Sequence, residues 1–304
     1  MACTAAVVHA GEQPCPTPLS TGAAAGEDPF ANSDAVKARF AEGLGRFADQ
    51  GQVVSPVELA DQASQRKTCV LETLSDPQKK LSAEAVYGQA RRSVVVLGAI
   101  YKCPKCHKWH TSTATGFVIR KDGAIVTNAH VLASFNNMKA VGAMTCDGRI
   151  FPVKSVLAAD PIVDLAVVKV EADNLTPLPL APQVAVGATV YCLSHPHLDD
   201  QGKRTCFYAF TQGIVCGKPQ LRAKDGGPLD VLAVTADYAA GSSGGPILNE
   251  HGAAVGVVSQ AIPVYHDPRD KQVQMVWKLA RPASSLLKLL EEPKLTPPAE
   301  PPVK

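Results

Sequence analysis

The chain has 304 residues, of which 46% are hydrophobic and 19% are charged, and its formal net charge is +2. This is the composition of a globular protein with enough apolar material for a sizeable core. The near-neutral charge and the lack of a basic stripe with interleaved aromatics argue against a nucleic-acid partner, and no apolar run is long enough for a transmembrane segment.

The N-terminal segment, residues 1–31, is rich in Ala, Gly, Pro and Thr and lacks hydrophobic periodicity, which predicts disorder. Its first ten residues are mildly apolar and end in Val8-His9-Ala10, a small-x-small pattern typical of signal cleavage, although a basic n-region is missing. We interpret the segment as the remnant of an export signal, which predicts a periplasmic or extracellular protein. A disordered cytosolic tail is the alternative.

Three helical patterns then predict a helical appendage over residues 32–91. The first helix is capped by Ser33 and closes near Gly51, with Val36, Phe40, Leu44 and Phe47 on one face. The second follows the capping box Ser55-Pro56-Val57-Glu58 and runs to about residue 66, and the third runs over 82–91. We interpret the appendage as a packing or spacer element, with partner binding or oligomerisation as the alternative. The oligomeric state stays open.

From residue 93 onward, short apolar segments separated by turn signals predict a mainly β domain of sandwich or barrel type over 92–281. Asp122-Gly123 and Asp147-Gly148 are the strongest hairpin signals. A Pro-rich link near 175–186 divides the domain into lobes of about 92–178 and 186–281. A C-terminal helix opened by Pro282 and a Pro-rich tail complete the chain over 282–304. The predicted strands are 94–101, 115–119, 124–127, 141–145, 150–153, 165–170, 190–193, 214–216, 232–235, 247–248, 254–259 and 273–279.

Three segments carry candidate catalytic chemistry. Thr127-Asn128-Ala129-His130 supplies an imidazole, Asp164-Leu165-Ala166-Val167-Val168 a carboxylate, and Gly241-Ser242-Ser243-Gly244-Gly245-Pro246 a hydroxyl within a glycine-rich turn. A serine becomes a nucleophile when an imidazole takes its proton, and a carboxylate holds that imidazole in the right tautomer.

The pattern therefore predicts a triad of His130, Asp164 and Ser243, in that chain order. The N–H groups of Gly241 and Ser243 are the candidate oxyanion hole. Asp160 is the competing carboxylate. We prefer Asp164 because it directly precedes an apolar strand.

These three motifs, in this order, resemble the trypsin/chymotrypsin-like serine protease family, and they look most like its HtrA/Deg-type branch. The resemblance covers roughly residues 82–290. It implies two six-stranded antiparallel β-barrels with the active site between them, and a serine endopeptidase that cleaves polypeptides through an acyl-enzyme without a catalytic cofactor. Too few residues follow position 281 for the PDZ domain that many HtrA proteins carry.

The resemblance also assigns roles near the nucleophile. Ser259 matches the serine that hydrogen-bonds the catalytic carboxylate, in the strand that borders the substrate backbone together with Ala261. Asp237 lies where trypsin-like members carry an Arg/Lys-selecting aspartate and where HtrA-type members carry a structural one, and both roles stay open. Ser242 replaces the aspartate that digestive members pair with a new N-terminus, so we expect no zymogen activation of that type.

A second cluster is Cys103-Pro104-Lys105-Cys106-His107-Lys108-Trp109-His110, between two predicted strands. Cys103, Cys106, His107 and His110 are candidate ligands of a structural zinc, and a Cys103–Cys106 disulfide or free thiols are the alternative. The string also contains the C-x-x-C-H haem-attachment word, although no second axial ligand is evident. The other crowded polar stretch, residues 195–200, we interpret as an ordinary loop.

Two other functions fit parts of this pattern. The turn at Ser243 also fits the G-x-S-x-G word of α/β-hydrolases, but Pro246 and a strand-like segment follow it where that fold requires a helix. The second rival is a non-catalytic peptide-binding protein on a protease scaffold. Such proteins usually lack a triad member, whereas all three are present here.

Overall fold

The short apolar strands close into two separate barrels in the computed structural model, which describes residues 31–267 and 269–291. The predicted N-terminal segment and the predicted tail beyond 291 lie outside the described residues. The strands are β1 Val94–Lys102, β2 Trp109–Val118, β3 Ala124–Thr127, β4 Ala140–Met144, β5 Ile150–Asp160, β6 Leu165–Val170, β7 Thr189–Ser194, β8 Ala209–Gly217, β9 Gln220–Arg222, β10 Pro228–Asp230, β11 Leu232–Val234, β12 Pro246–Leu248, β13 Ala254–Asp267 and β14 Asp270–Pro282.

Each barrel has six antiparallel strands, which confirms the predicted fold class. The first is ordered β1-β2-β3-β6-β5-β4 and the second β11-β14-β13-β12-β7-β8, while β9 and β10 form a separate two-stranded sheet. The two predicted Asp-Gly turns are present. Gly123 and Gly148 adopt φ of +96° and +82°, which L side chains rarely adopt, so glycine suits both turns.

Several strands extend further than their apolar patterns predict. β2 begins at Trp109, β5 continues to Asp160, and β13 and β14 run on as a long hairpin. The outer part of that hairpin is exposed from residue 260 to residue 266, and large apolar side chains such as Trp277 remain partly exposed there. A strand without a buried face has no alternating pattern, so its length could not be predicted from periodicity.

The helices are α1 Ser33–Asp49, α2 Pro56–Gln65, α3 Ala83–Ala90, α4 Ala129–Ser134 and α5 Ala283–Leu289. The predicted cap of α1 was wrong by one residue. Asn32 is the N-cap, and its Oδ1 accepts from the N–H groups of Asp34 and Ala35 at 3.0 and 3.1 Å, whereas Ser33 contacts a distant loop. The caps Ser55 and Ser82 are as predicted. Not one helix in the described residues combines the length and apolarity needed to cross a membrane.

The apolar face of α1 packs against the first barrel. Val36, Phe40 and Leu44 belong to the same buried cluster as strand residues of β1. Burying each such side chain contributes about 1.5–3 kcal/mol, so the helix is held to the barrel by its own hydrophobic stripe. The helical appendage therefore lies on the barrel that supplies two of the three predicted triad residues.

Candidate active site

The first barrel places an imidazole against a carboxylate. His130 lies in the first turn of α4, directly after β3, and Asp164 directly precedes β6, which pairs with β3. His130 Nδ1 lies 2.9 Å from both carboxylate oxygens of Asp164. Because Nδ1 is engaged, Nε2 is the nitrogen left to act as a base.

The backbone around Asp164 is held in an uncommon conformation. Its φ is +62°, and the side-chain Nδ2 of Asn128 donates to its carbonyl oxygen at 2.8 Å. The N–H of His130 donates to Asp164 Oδ1 at 3.1 Å. Burial alone would raise the pKa of Asp164, but the hydrogen bonds from His130 and Ser259 outweigh burial and lower it. The competing Asp160 instead accepts from N–H groups of its own turn.

The second barrel contributes a further donor to the same carboxylate. Ser259 Oγ on β13 donates to Asp164 Oδ2 at 2.7 Å, and Ser259 is buried. The bond joins the two barrels, since Asp164 belongs to the first and Ser259 to the second. Both carboxylate oxygens are thus occupied, which fixes the carboxylate relative to the imidazole.

Ser243 lies in the turn between β11 and β12, and this turn is pressed against the first barrel. A Cβ added to Gly244 would lie 2.2 Å from the carbonyl oxygen of Thr115 and 2.4 Å from Thr127 Oγ1. The N–H of Gly244 donates to the carbonyl of Val258, the residue before Ser259. The turn therefore adjoins the segments that carry His130 and Ser259. Within the described residues, Ser243 Oγ forms no hydrogen bond with His130.

The turn holds two N–H groups in fixed directions. The carbonyl of Ala240 accepts from the N–H of His197 at 2.7 Å, and the carbonyl of Ser242 accepts from the N–H of Gly245 at 2.9 Å. In a trans peptide the N–H points away from the carbonyl, so the N–H groups of Gly241 and Ser243 point away from these partners. Neither donates a hydrogen bond within the described chain, so both are available to a ligand.

Thr115 on β2 fastens this turn from the first barrel. Its N–H donates to the carbonyl of Ser243 at 3.0 Å, and its Oγ1 donates to the carbonyl of Gly241 at 2.8 Å. The same hydroxyl accepts from the N–H of His195 at 3.1 Å. Thr115 is fully buried, and nothing in the sequence singles it out from the apolar strand around it.

Ser242 is buried beneath the turn. Its Oγ accepts from Ser194 Oγ at 3.0 Å. A carboxylate at this position would lack a cationic partner among these contacts, whereas the hydroxyl is satisfied. Ser194, like Thr115, is a positioning side chain that sequence reasoning missed.

His195 is buried and neutral beside the turn. Complete burial lowers the pKa of His195 to about 3. Its Nδ1 accepts from the N–H of Tyr208 at 3.0 Å, so the position where a second proton would bind already faces a donor. The ring is a structural acceptor, and its burial could not be predicted because His195 lies in a polar stretch of the sequence.

The candidate specificity residues lie on the second barrel. Asp237 Oδ1 lies 2.7 Å from Lys278 Nζ, and the Asp237 side chain is 79% exposed whereas that of Lys278 is 15% exposed. β13 pairs with β12 as far as Val257, so Ser259 and Ala261 lie beyond the end of β12. Their stretch of β13 adjoins the turn of Ser243 and lacks a strand neighbour on that side within the described residues.

The cysteine cluster lies at the tip of the β1–β2 hairpin. The ligand atoms of Cys103, Cys106 and His110 lie within 4.8 Å of one another, and Cys106 Sγ is 3.1 Å from His110 Nε2. His107, a predicted fourth ligand, is not part of this cluster. It adopts φ of +56° and turns the chain instead. All seven cysteines in the described residues are free thiols in this structure, which agrees with the free-thiol form of the alternative.

Comparison with known proteins gives matches over the same region. Residues 114–257 match the family model described as a trypsin-like peptidase domain. A probable periplasmic serine endoprotease, DegP-like, from Hahella chejuensis is 35% identical over 153 residues, which cover 49% of this chain and 30% of that protein. The serine endoprotease DegS of Haemophilus influenzae is 30% identical over 151 residues, covering 49% of this chain and 41% of that protein.

Solved structures show the same fold. An HtrA-type protease determined with a tripeptide has a TM-score of 0.53 at 18% identity, covering 68% of this chain and 62% of that one. Deg5 has a TM-score of 0.50 at 24% identity, covering 67% and 90%. The chain spans less than half the length of the curated relatives named above.

Proposed function

Because residues 114–257 match the model of a trypsin-like peptidase domain and the similar proteins are serine endoproteases, we propose that the chain is an HtrA-type endopeptidase with His130, Asp164 and Ser243 as its triad. Ser243 Oγ attacks the scissile carbonyl carbon while its proton passes to His130 Nε2. The C–N bond then breaks, and the proton leaves with the amine. The acyl group stays on Ser243 as an ester.

Water completes the cycle. It gives a proton to His130 and attacks the ester, which releases the acid and restores the Ser243 hydroxyl as the proton returns. In both tetrahedral states the oxyanion is held by the N–H groups of Gly241 and Ser243. Losing one such donor costs about 3–4 kcal/mol of barrier, so the orientation of these peptides matters as much as the nucleophile.

The observation that carries this proposal is the shared carboxylate. His130 and Ser259 hold Asp164 at 2.9 and 2.7 Å from opposite barrels, next to a turn with two unpaired N–H groups. A buried carboxylate bound to an imidazole in this way stabilises the imidazolium that forms during proton transfer. Ordinary packing in a peptide-binding scaffold does not require that arrangement.

Labelling with a fluorophosphonate rhodamine tests the proposal. Wild-type protein should label, and Ser243→Ala should abolish labelling and lower turnover on the order of a millionfold. Ser64→Ala is the matched variant, because it removes an exposed hydroxyl of α2 that donates to the carbonyl of Asp61 in its own helix. It should still label. Folded wild-type protein that stays unlabelled would instead support the non-catalytic peptide-binding alternative.

Polypeptides are the proposed substrates, bound as an added strand along Ser259 to Ala261 of β13. The geometry favours the structural role of Asp237 over selection of Arg or Lys. Its carboxylate is paired with Lys278, whose ammonium would repel a basic side chain nearby. Profiling with a peptide library should show no enrichment of Arg or Lys before the cut, and a clear enrichment would restore the trypsin-like specificity.

Export is the proposed location. Two of the similar proteins, from Hahella chejuensis and Halomonas elongata, bear the printed description periplasmic, and the similar protein from Drosophila virilis is described as mitochondrial. Sequencing the N-terminus of protein purified from its native source tests this. An intact Met1 in native protein would count against export.

We also propose a structural zinc at Cys103, Cys106 and His110. Two thiolates and an imidazole are a donor set that zinc prefers. Hydrogen bonds from the N–H groups of Cys106 and Lys105 lower the pKa of Cys103, which favours the thiolate that a metal binds. Three protein ligands leave one tetrahedral position for water or another donor.

Metal analysis of the full-length protein tests the zinc site. We expect about one zinc per chain in the wild type and none in Cys103→Ser. Cys216→Ser is the control, because it removes an exposed thiol elsewhere. Zinc-free wild-type protein with an oxidised Cys103–Cys106 pair would exclude the metal.

A further inference from the structure

The helix α1, which lies outside the residues that match the peptidase domain, contacts the loop that orients the candidate oxyanion turn. This loop, residues 195–206, connects β7 to the segment before β8. Lys37 Nζ on α1 donates to the carbonyls of Gly202 and Lys203 at 2.6 and 2.9 Å. Ser33 Oγ accepts from the N–H of Thr205 at 3.0 Å.

The loop 195–206 is braced internally, so that a displacement at its tip is transmitted to its base. The carboxylate of Asp199 accepts from the N–H groups of Gln201, Lys203 and Arg204 at 2.9 to 3.2 Å. Leu198 N–H donates to the carbonyl of Arg204 at 2.9 Å. The segment therefore behaves as a folded unit rather than as a loose connection.

His197 joins this unit to the turn. A Cβ added to Gly202 would lie 3.0 Å from the His197 ring, and one added to Gly241 would lie 2.8 Å from the same ring. The imidazole therefore lies close both to the glycine whose carbonyl Lys37 binds and to the glycine whose N–H is the proposed oxyanion donor. The His197 N–H also fixes the Ala240 carbonyl, and with it the direction of the Gly241 N–H.

The polar connection between helix and loop is narrow. An open cavity of about 1060 Å³ lies between α1 and residues 199–204, and it is lined by Asp34, Lys37 and Arg204 among others. Lys37 and Ser33 bridge the two elements beside it.

We propose that α1 is a positioning element of the active site, in which Lys37 holds the loop 195–206 so that His197 keeps the Gly241 N–H directed at the oxyanion. This inference rests on the proposed endopeptidase function. Lys37 is a positioning residue, because it acts through Gly202 and His197 and touches no substrate.

We call the hydrogen bonds from Lys37 to the loop 195–206 the clamp, and the rate of fluorophosphonate labelling tests it. Lys37→Met keeps the apolar stem but removes the donor, so the maximal labelling rate should fall about tenfold while the inhibition constant changes less than about twofold. Lys37→Arg can still donate to both carbonyls and should recover most of the rate. Arg39→Met is the matched control, because it removes a contact of α1 with the carbonyl of Gly148, away from the loop. It should label as the wild type does.

Hydrogen exchange of the His197 amide gives a readout independent of activity. Its protection should fall in Lys37→Met and persist in Arg39→Met. Wild-type protection and labelling in Lys37→Met would overturn the clamp, as would an equal loss in both variants. A wild-type protein that does not label at Ser243 refutes the proposed function instead, and the exchange measurement then still decides the clamp.

Discussion

The buried His195 makes the folded protein sensitive to acid, and the effect can be worked out from its environment. Burial lowers the pKa of His195 to about 3 from the ordinary 6.5, and Nδ1 already accepts from the N–H of Tyr208. Below about pH 6.5 the unfolded chain therefore binds a proton that the folded chain refuses. Stability is lost progressively as the pH falls from about 6.5 to about 3.

The magnitude follows from the size of the shift. Each pH unit below the unfolded pKa costs about 1.4 kcal/mol, so at about pH 4.5 His195 removes about 3 kcal/mol of unfolding free energy. In His195→Asn the amide oxygen can still accept from Tyr208, but nothing at this site titrates. The variant should be less stable than its parent at about pH 7.5, because the smaller side chain leaves space in the core. Between about pH 7.5 and pH 4.5 its unfolding free energy should fall by about 3 kcal/mol less than that of the parent.

Urea denaturation followed by circular dichroism measures this difference. A Ser243→Ala background prevents self-cleavage during the experiment. His266→Asn, which makes the same change at an exposed position of the β13–β14 hairpin, is the matched control. Equal losses of unfolding free energy in the parent and in His195→Asn, within about 1 kcal/mol, would refute the reasoning.

Three further outcomes are expected. Ser259→Ala removes the 2.7 Å hydrogen bond to Asp164, and a hydrogen bond to a charged group contributes about 1.5–3 kcal/mol. The kcat of casein hydrolysis should therefore be roughly 10- to 100-fold lower, and an unchanged kcat would contradict this role of Ser259. Gly244→Ala would put a Cβ 2.2 Å from a backbone carbonyl at φ of +84°, so fluorophosphonate labelling should be lost, and labelling at the wild-type rate would show that the turn tolerates a side chain. Burial raises the pKa of Cys192 to about 12, whereas Cys206 is exposed. Iodoacetamide should therefore alkylate Cys206 in the folded protein and Cys192 only after unfolding, which peptide mass spectrometry measures. Alkylation of Cys192 in the folded protein would argue against its burial.

The sequence predicted those features that leave a local pattern. Apolar strands with Asp-Gly turns predicted a mainly β domain, the family resemblance implied that it forms two barrels, and a capping box predicted α2 at its observed start. The pairing of His130 with Asp164 was predicted from sequence motifs and not from geometry. The cap of α1 was misplaced because Asn32 and Ser33 are both good capping residues, and only their contacts distinguish them.

The supporting residues could not be predicted because their roles arise from long-range contacts. Thr115 reads as one more residue of an apolar strand, yet it binds a turn more than a hundred positions later. Lys37 reads as the solvent face of an amphipathic helix, although its ammonium reaches residue 202. The sequence around His195 indicates only a polar loop, although the side chain is buried. In each case the partner is set by tertiary packing and not by the neighbouring sequence.

Thr115 has a consequence for how the protein would lose activity. The hydroxyl and the N–H of Thr115 bind the carbonyls of Gly241 and Ser243, and they hold the nucleophile turn to the opposite barrel. The interface between the two barrels therefore also sets the positions of the candidate oxyanion donors. Mild heating or dilute denaturant that separates the two barrels should therefore abolish hydrolysis even where each barrel stays folded.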